Sequence, residues 1–94
     1  MITSFQAEQR IPLSRTGLKR LRQVGRLPAH IFSAKADQVL IHIDAKDFER
    51  WVRNGKSGNV EICLENKERV HVSLGEIQRD PVSREFIHVD FKRA

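Results

Sequence analysis

Apolar and polar residues alternate along most of this sequence, the period of a strand with one buried face, and the alternation gives way twice to helical spacing. SFQAEQ (4–9) predicts a first strand and LPAHIF (27–32) a second. In QVLIHID (38–44), Val39, Ile41 and Ile43 fall on one face, Leu40 and His42 on the other. NVEICLE (59–65) and RVHVSLGEI (69–77) alternate on either side of a short turn around ENKE, a hairpin signal. Val60, Ile62 and Leu64, then Val70, Val72 and Leu74, mark its inner face, and Glu61, Cys63 and Glu65 its outer face. Ile77 is out of phase with Leu74, which makes Gly75 a candidate bulge. The polar QRDPVSRE (78–85), containing Pro81, leads to a last strand, FIHVDF (86–91). There Ile87, Val89 and Phe91 are expected inward, with Phe86, His88 and Asp90 outward; the alpha carbons of His88 and Asp90 lie about 7 Å apart.

The first helical stretch runs from a cap at Ser14 or Thr16 to a stop at Gly25, and Pro28 bars its continuation. Leu18, Leu21 and Val24 share an arc of about 120 degrees, a stripe expected to pack on the core. Arg15, Lys19 and Arg22 occupy the opposite side, with Arg20 at its edge. The second stretch, DAKDFERWVRNG (44–55), has Asp44 as N-cap, a core stripe of Phe48, Trp51 and Val52, and an Asn54-Gly55 stop. Trp51 lies on that stripe, so it reads as core rather than as a stacking platform. From these patterns the chain is a small mixed domain with a half-open or closed sheet, and its 94 residues suffice for one modest core.

Charge sharpens the picture. The chain has 17 basic and 12 acidic residues. From Gln9 to Ala36 there are seven basic residues and no acidic one, so the excess positive charge belongs to the N-terminal third. Like charges on one face repel unless a partner neutralises them, which favours phosphate binding over a merely solvated helix face. A membrane surface is the weaker partner, because the basic helix carries only a few aliphatics and no aromatic anchor. No signal-peptide core or membrane-length apolar run is present, and a lone Cys63 excludes an internal disulfide. The expectation is a soluble cytoplasmic protein, a monomer when free.

Enzyme chemistry finds little support. There are no paired cysteines, no histidines at helical i, i+4 spacing and no His-x-His strand, so no metal site is expected. Nucleophile-elbow glycines and a glycine-rich phosphate loop are missing as well. Neither a cofactor nor a small-molecule substrate is expected. Glu61 and Glu65 beside Cys63 disfavour a thiolate nucleophile. The chain does repeat one tetrapeptide, IHID at 41–44 and IHVD at 87–90. The first copy stands where a strand meets a helix and reads as structural, Asp44 acting as cap. In the second, His88 and Asp90 project mid-strand, either as a solvated polar face or as groups that hydrogen-bond base edges or ribose hydroxyls.

LKRLRQVGRLPAHIF (18–32) resembles the LRRLRxxGxxPAxxY segment of the bacterial large-subunit ribosomal protein numbered twenty-five, a 5S rRNA-binding family related to the general stress protein CTC. EIQRDPVSREFIHVDF (76–91) resembles its closing signature, which ends in His-x-Asp-Phe. The resemblance implies a six-stranded β-barrel with two or three helices, forming one 5S rRNA-binding domain over residues 1–94 and docked on the loop E region in the large ribosomal subunit. It also implies neighbouring large-subunit components as partners, and it matches the short form without the extra C-terminal domain of longer relatives. Carried over by position, phosphate contacts come from Arg10, Arg15, Lys19, Arg20 and Arg22, and groove reading from Gln78, Arg79, His88 and Asp90. Phe32 replaces the usual tyrosine, keeping a stacking surface without a phenol hydrogen bond. Ser33 replaces a common glycine and Leu18 a small residue, either of which would tilt the helix or the loop after it. These departures motivate an alternative, a stress-induced paralogue with weakened RNA binding that acts through protein partners.

Overall fold

A computed structural model describes residues 2–34, 38–56 and 59–93. In chain order these form β1 (Ile2–Gln9), α1 (Arg15–Gln23), β2 (Arg26–Phe32), β3 (Gln38–Asp44), α2 (Ala45–Arg53), β4 (Asn59–Leu64), β5 (Arg69–Arg79) and β6 (Phe86–Arg93). The six strands close into a barrel in the order β1-β3-β2-β6-β5-β4. Two joints are parallel, β1 with β4 and β2 with β6, and the remaining ladders are antiparallel.

The alternation read from the sequence is the inward face of this barrel. Phe5, Ala7, Leu27, Ala29, Ile31, Ile41, Ile43, Val60, Ile62, Leu64, Val70, Val72, Val89 and Phe91 fill it, as side chains must in a barrel this small. Helix α2 lays Phe48 and Trp51 against Phe5, with ring centroids 5.9 and 5.7 Å away, and Phe48 also meets Phe91 at 6.3 Å. Phe48 is fully buried, so the predicted stripe of α2 is core, Trp51 included.

Helix α1 departs from its expected packing. Ser14 is the cap, its Oγ accepting from Gly17 N at 3.1 Å, yet no residue of the helix is fully buried. Leu18 and Leu21 are half-covered, and Val24, predicted to complete the stripe, is 73% exposed. The reason is local: Val24 is the C-cap, where the backbone has left the helical path and the 100-degree spacing no longer places side chains. Gly25 follows at φ +84°, a left-handed conformation that favours glycine, and its carbonyl accepts from Ala45 N at 3.0 Å, tying the end of α1 to the start of α2.

Three further expectations change. Asp44 occupies the N-cap of α2, but its side chain makes no capping hydrogen bond. Glu61, expected on an exposed face, is 6% exposed. It accepts from Arg69 Nη1 at 2.7 Å, Ser4 Oγ at 3.3 Å and the Cys63 thiol at 3.5 Å. Burial works to raise the Glu61 carboxyl, but these hydrogen bonds and the Arg69 charge outweigh it and hold the group below the usual range. Finally Phe86, expected outward, packs on the core with its ring 5.2 Å from Phe48. Two bulges in the β5–β6 ladder account for this phase. Gly75 and Glu76 together oppose Asp90, as the sequence predicts, and Ile87 is an extra residue between the pairs Gln78–His88 and Arg79–Phe86. The second bulge turns Phe86 inward.

Candidate nucleic-acid interface

The outer faces of β3, β2, β6 and β5 form one surface, and strand register decides which side chains meet on it. The parallel β2–β6 ladder sets His30 opposite Asp90, and the antiparallel β5–β6 ladder sets Gln78 opposite His88. His88 Nδ1 lies 3.3 Å and His30 Nδ1 3.9 Å from Asp90 Oδ1, while the two imidazole rings meet edge to face at 4.3 Å. Phe32 continues the row, 5.6 Å from His30, and Gln38 Nε2 is 3.2 Å from His30 Nδ1. The His88 and Asp90 side chains keep 16% and 24% of their exposure, so they are neither free in solvent nor part of the interior.

Burial pushes both imidazoles below their ordinary value. For His30, Arg10 adds to burial and Asp90 opposes it; for His88, His30 adds, Asp90 opposes, and Arg10 and Arg22 contribute the remainder. Each ring is therefore neutral near pH 7 and offers one donor and one acceptor nitrogen. His88 Nε2 is shut off from solvent, with no hydrogen-bond partner among the described residues.

Helix α1 borders this surface. Arg22 Nη1 donates to Ile87 O at 3.5 Å, which joins the helix to β6. Arg15, Lys19 and Arg22 line one concavity with Asp80, Ser83, Glu85, Phe86 and Ile87. Arg10 and Leu18 line the next, with His30, Gln38, Gln78 and His88. A third holds Phe32, Asp90 and Lys92 around the Gly75 bulge. Among the described residues, Arg15, Lys19, Arg20 and Arg22 have no carboxylate within 4.0 Å, although Asp80 and Glu85 stand across the first concavity. Asp80 is occupied in its own turn, accepting from Val82 N at 2.8 Å and Ser83 N at 3.1 Å, and these bonds lower its carboxyl.

The structure thus brings Arg10, Arg15, Lys19, Arg22, Phe32, Gln78, His88 and Asp90 onto adjoining parts of one surface. Arg20 is exposed on α1 and lines none of these concavities. Arg79 places its guanidinium 4.4 Å over the Phe86 ring instead of joining the row. Arg10 is anchored by its Nε, which donates to Ile41 O at 2.9 Å. Burial lowers its guanidinium from the ordinary value. Leu18 is accommodated within the wall of the second concavity. Lys35, part of the basic run, lies outside the described residues.

His30 is the residue that sequence reasoning missed. Its outward direction follows from Ala29 and Ile31 pointing in, but its position beside Asp90 depends on a parallel register that no local pattern encodes. The other tetrapeptide does different work. His42 Nδ1 accepts from Arg26 Nε at 2.9 Å, and its Nε2 lies 3.5 Å from Glu8, so it joins β1, β2 and β3 away from the row.

The sequence profile described as the Ribosomal L25p family matches residues 5–91. The chain belongs to this family. Among curated relatives, the large ribosomal subunit protein bL25 of Geobacillus thermodenitrificans is 34% identical over 86 residues, covering 92% of this chain and 41% of the relative. The bL25 proteins of Akkermansia muciniphila and Pelotomaculum thermopropionicum are 34% and 33% identical, covering 80% and 97% of this chain and 38% and 46% of their own lengths. The chain therefore spans less than half the length of these L25p relatives. Both blocks whose motifs resemble the family lie within the matched span.

Proposed function

We propose that this chain is a structural, non-catalytic component of the large ribosomal subunit in the cytoplasm, binding 5S rRNA at its loop E region through the surface of α1 and β6. Residues 1–94 act as one rRNA-binding barrel. The observation that carries the reading is the join between α1 and β6: cations without ion-pair partners among the described residues abut a row of half-buried hydrogen-bonding groups on the sheet. Membership of a family whose relatives are named as large-subunit proteins supports it. Arg10, Arg15, Lys19 and Arg22 neutralise phosphates and set the register, with Arg20 as a peripheral contact. Gln78, His88 and Asp90 read the wide, shallow groove of an irregular RNA helix, and Phe32 offers a face for stacking. Arg79 holds the wall of the groove through Phe86 and reaches RNA from its rim.

A gel-shift titration with 5S rRNA tests this, using the native loop E and a version made fully Watson–Crick. Selective binding to the native loop is expected. Asp90→Ala should weaken that complex by about 1 to 3 kcal/mol while leaving the Watson–Crick control unchanged. Equal binding to both RNAs would overturn the loop E assignment. Absence from large subunits of growing cells would favour a paralogue acting through protein partners.

A further inference from the structure

Beyond RNA recognition, the meeting of β2 and β6 assembles a set of donor atoms that fits a metal ion. His30, His88 and Asp90 each offer one ligand atom, and the three atoms lie within 4.8 Å of one another. In a tetrahedral site with bonds of about 2.0 to 2.2 Å, neighbouring ligand atoms stand about 3.3 to 3.6 Å apart. His88 Nδ1 and Asp90 Oδ1, at 3.3 Å, already have that spacing, and His30 Nδ1 is 3.9 Å from the same oxygen. Small side-chain rotations complete the set, because His30 and Asp90 are register partners on hydrogen-bonded strands and His88 shares the face of Asp90.

We propose that His30, His88 and Asp90 bind one late first-row divalent cation, with Zn2+ as the reference ion and the remaining position taken by water. Two imidazoles and one carboxylate favour Zn2+, Ni2+ or Cu2+ over Mg2+ and Ca2+, which prefer oxygen ligands. The scaffold favours binding as well. The three side chains project from two paired strands of a closed barrel, and all three are half-buried, so little conformational freedom is lost on coordination. The His88 ring enters through Nδ1, its Nε2 being enclosed away from solvent. His30 gives up its contact with Gln38, an exposed one that water replaces.

His88 and Asp90 also belong to the row proposed to read rRNA, but the metal site is tested separately, since metal binding is measured on the tag-free chain without RNA. Zn2+ titrated by calorimetry should bind once per chain, and Co2+ should develop the visible absorption of a four-coordinate centre. Imidazole resonances of His30 and His88 should move on Zn2+ addition while those of His71 stay in place. Removing an outer-shell partner alone typically weakens a metal site about 10- to 100-fold, so His30→Ala and Asp90→Asn should each weaken binding at least about tenfold. The second of these keeps the side-chain volume, and unchanged circular dichroism confirms folding of both. His71→Ala, on β5 where the imidazole faces Glu61 of β4 and is not part of the cluster, should leave the affinity unchanged. Failure to bind Zn2+ at equimolar ratio, retention of full affinity in His30→Ala, or loss in His71→Ala would each overturn the proposal.

Discussion

His42 and His88 stand in nearly identical tetrapeptides and in different surroundings. His42 is held by Arg26 and Glu8, and burial first, then Arg26 and Arg10, push its imidazole down against the opposing charges of Glu8 and Glu65. A folded-state value below the unfolded one means that the folded chain binds fewer protons, so this contribution to stability is present above about pH 6.5 and is lost as the pH falls through the folded value. Unfolding by urea, followed through Trp51 fluorescence between about pH 5 and 8, should show stability flat at the alkaline end and falling below about pH 6.5. His42→Gln should reduce that slope by up to one proton; His30 and His88 shift in the same direction, so part of it remains. The sequence assigned His42 a structural place and left its partners unnamed, because Arg26 and Glu8 arrive from strands whose pairing is not a local property. Glu61 shows the same limit: alternation marked its face correctly as outward, but Arg69, Ser4 and Cys63 cover it there.

At the scale of elements, the two helices divide the work along their apolar stripes. The stripe of α2 ends in Phe48 and Trp51 and plugs the core; that of α1 is too short to bury and leaves its cationic side free. Phe48→Ala should cost about 3 to 5 kcal/mol, measured as a shift in denaturant midpoint at constant m-value. The last two strands are governed by bulges. One was legible, because glycine interrupts the alternation at Gly75. The other, at Ile87, replaces one apolar residue with another in the inward row and leaves no compositional mark. A Cβ at Gly75 would stand 2.9 Å from the Asp90 carbonyl oxygen, so Gly75→Ala must displace the β6 backbone. Destabilisation of about 1 to 3 kcal/mol is expected. Amide shifts concentrated at His88 and Asp90 would locate the displacement, and shifts spread evenly over the barrel would refute it.

For the whole molecule, the barrel is what converts scattered side chains into a face. Strand positions and core residues were visible in the alternation, and the resemblance implied the closed architecture. The parallel joints were beyond local pattern, since they pair strands separated by 50 residues or more, as Phe5 with Ile62 and His30 with Asp90. Their consequence for binding is collective. If the cations of α1 and Arg10 act together on phosphates, log affinity for 5S rRNA should fall linearly with log salt at a slope of about 3 to 5 for four to six contacts. Arg22→Gln should flatten that slope by about one unit, whereas Asp90→Ala should lower affinity and leave the slope unchanged.

Strand β6, the last of the six to be synthesised, inserts between β2 and β5. Until it arrives, the barrel is open between β2 and β5, His30 of β2 lacks its neighbours His88 and Asp90, and the β6 carbonyl that Arg22 reaches is missing. The cations of α1 are thus made before the row they border, which is assembled only when β6 closes the barrel. If the row reads RNA as proposed, its selectivity depends on closure of the barrel.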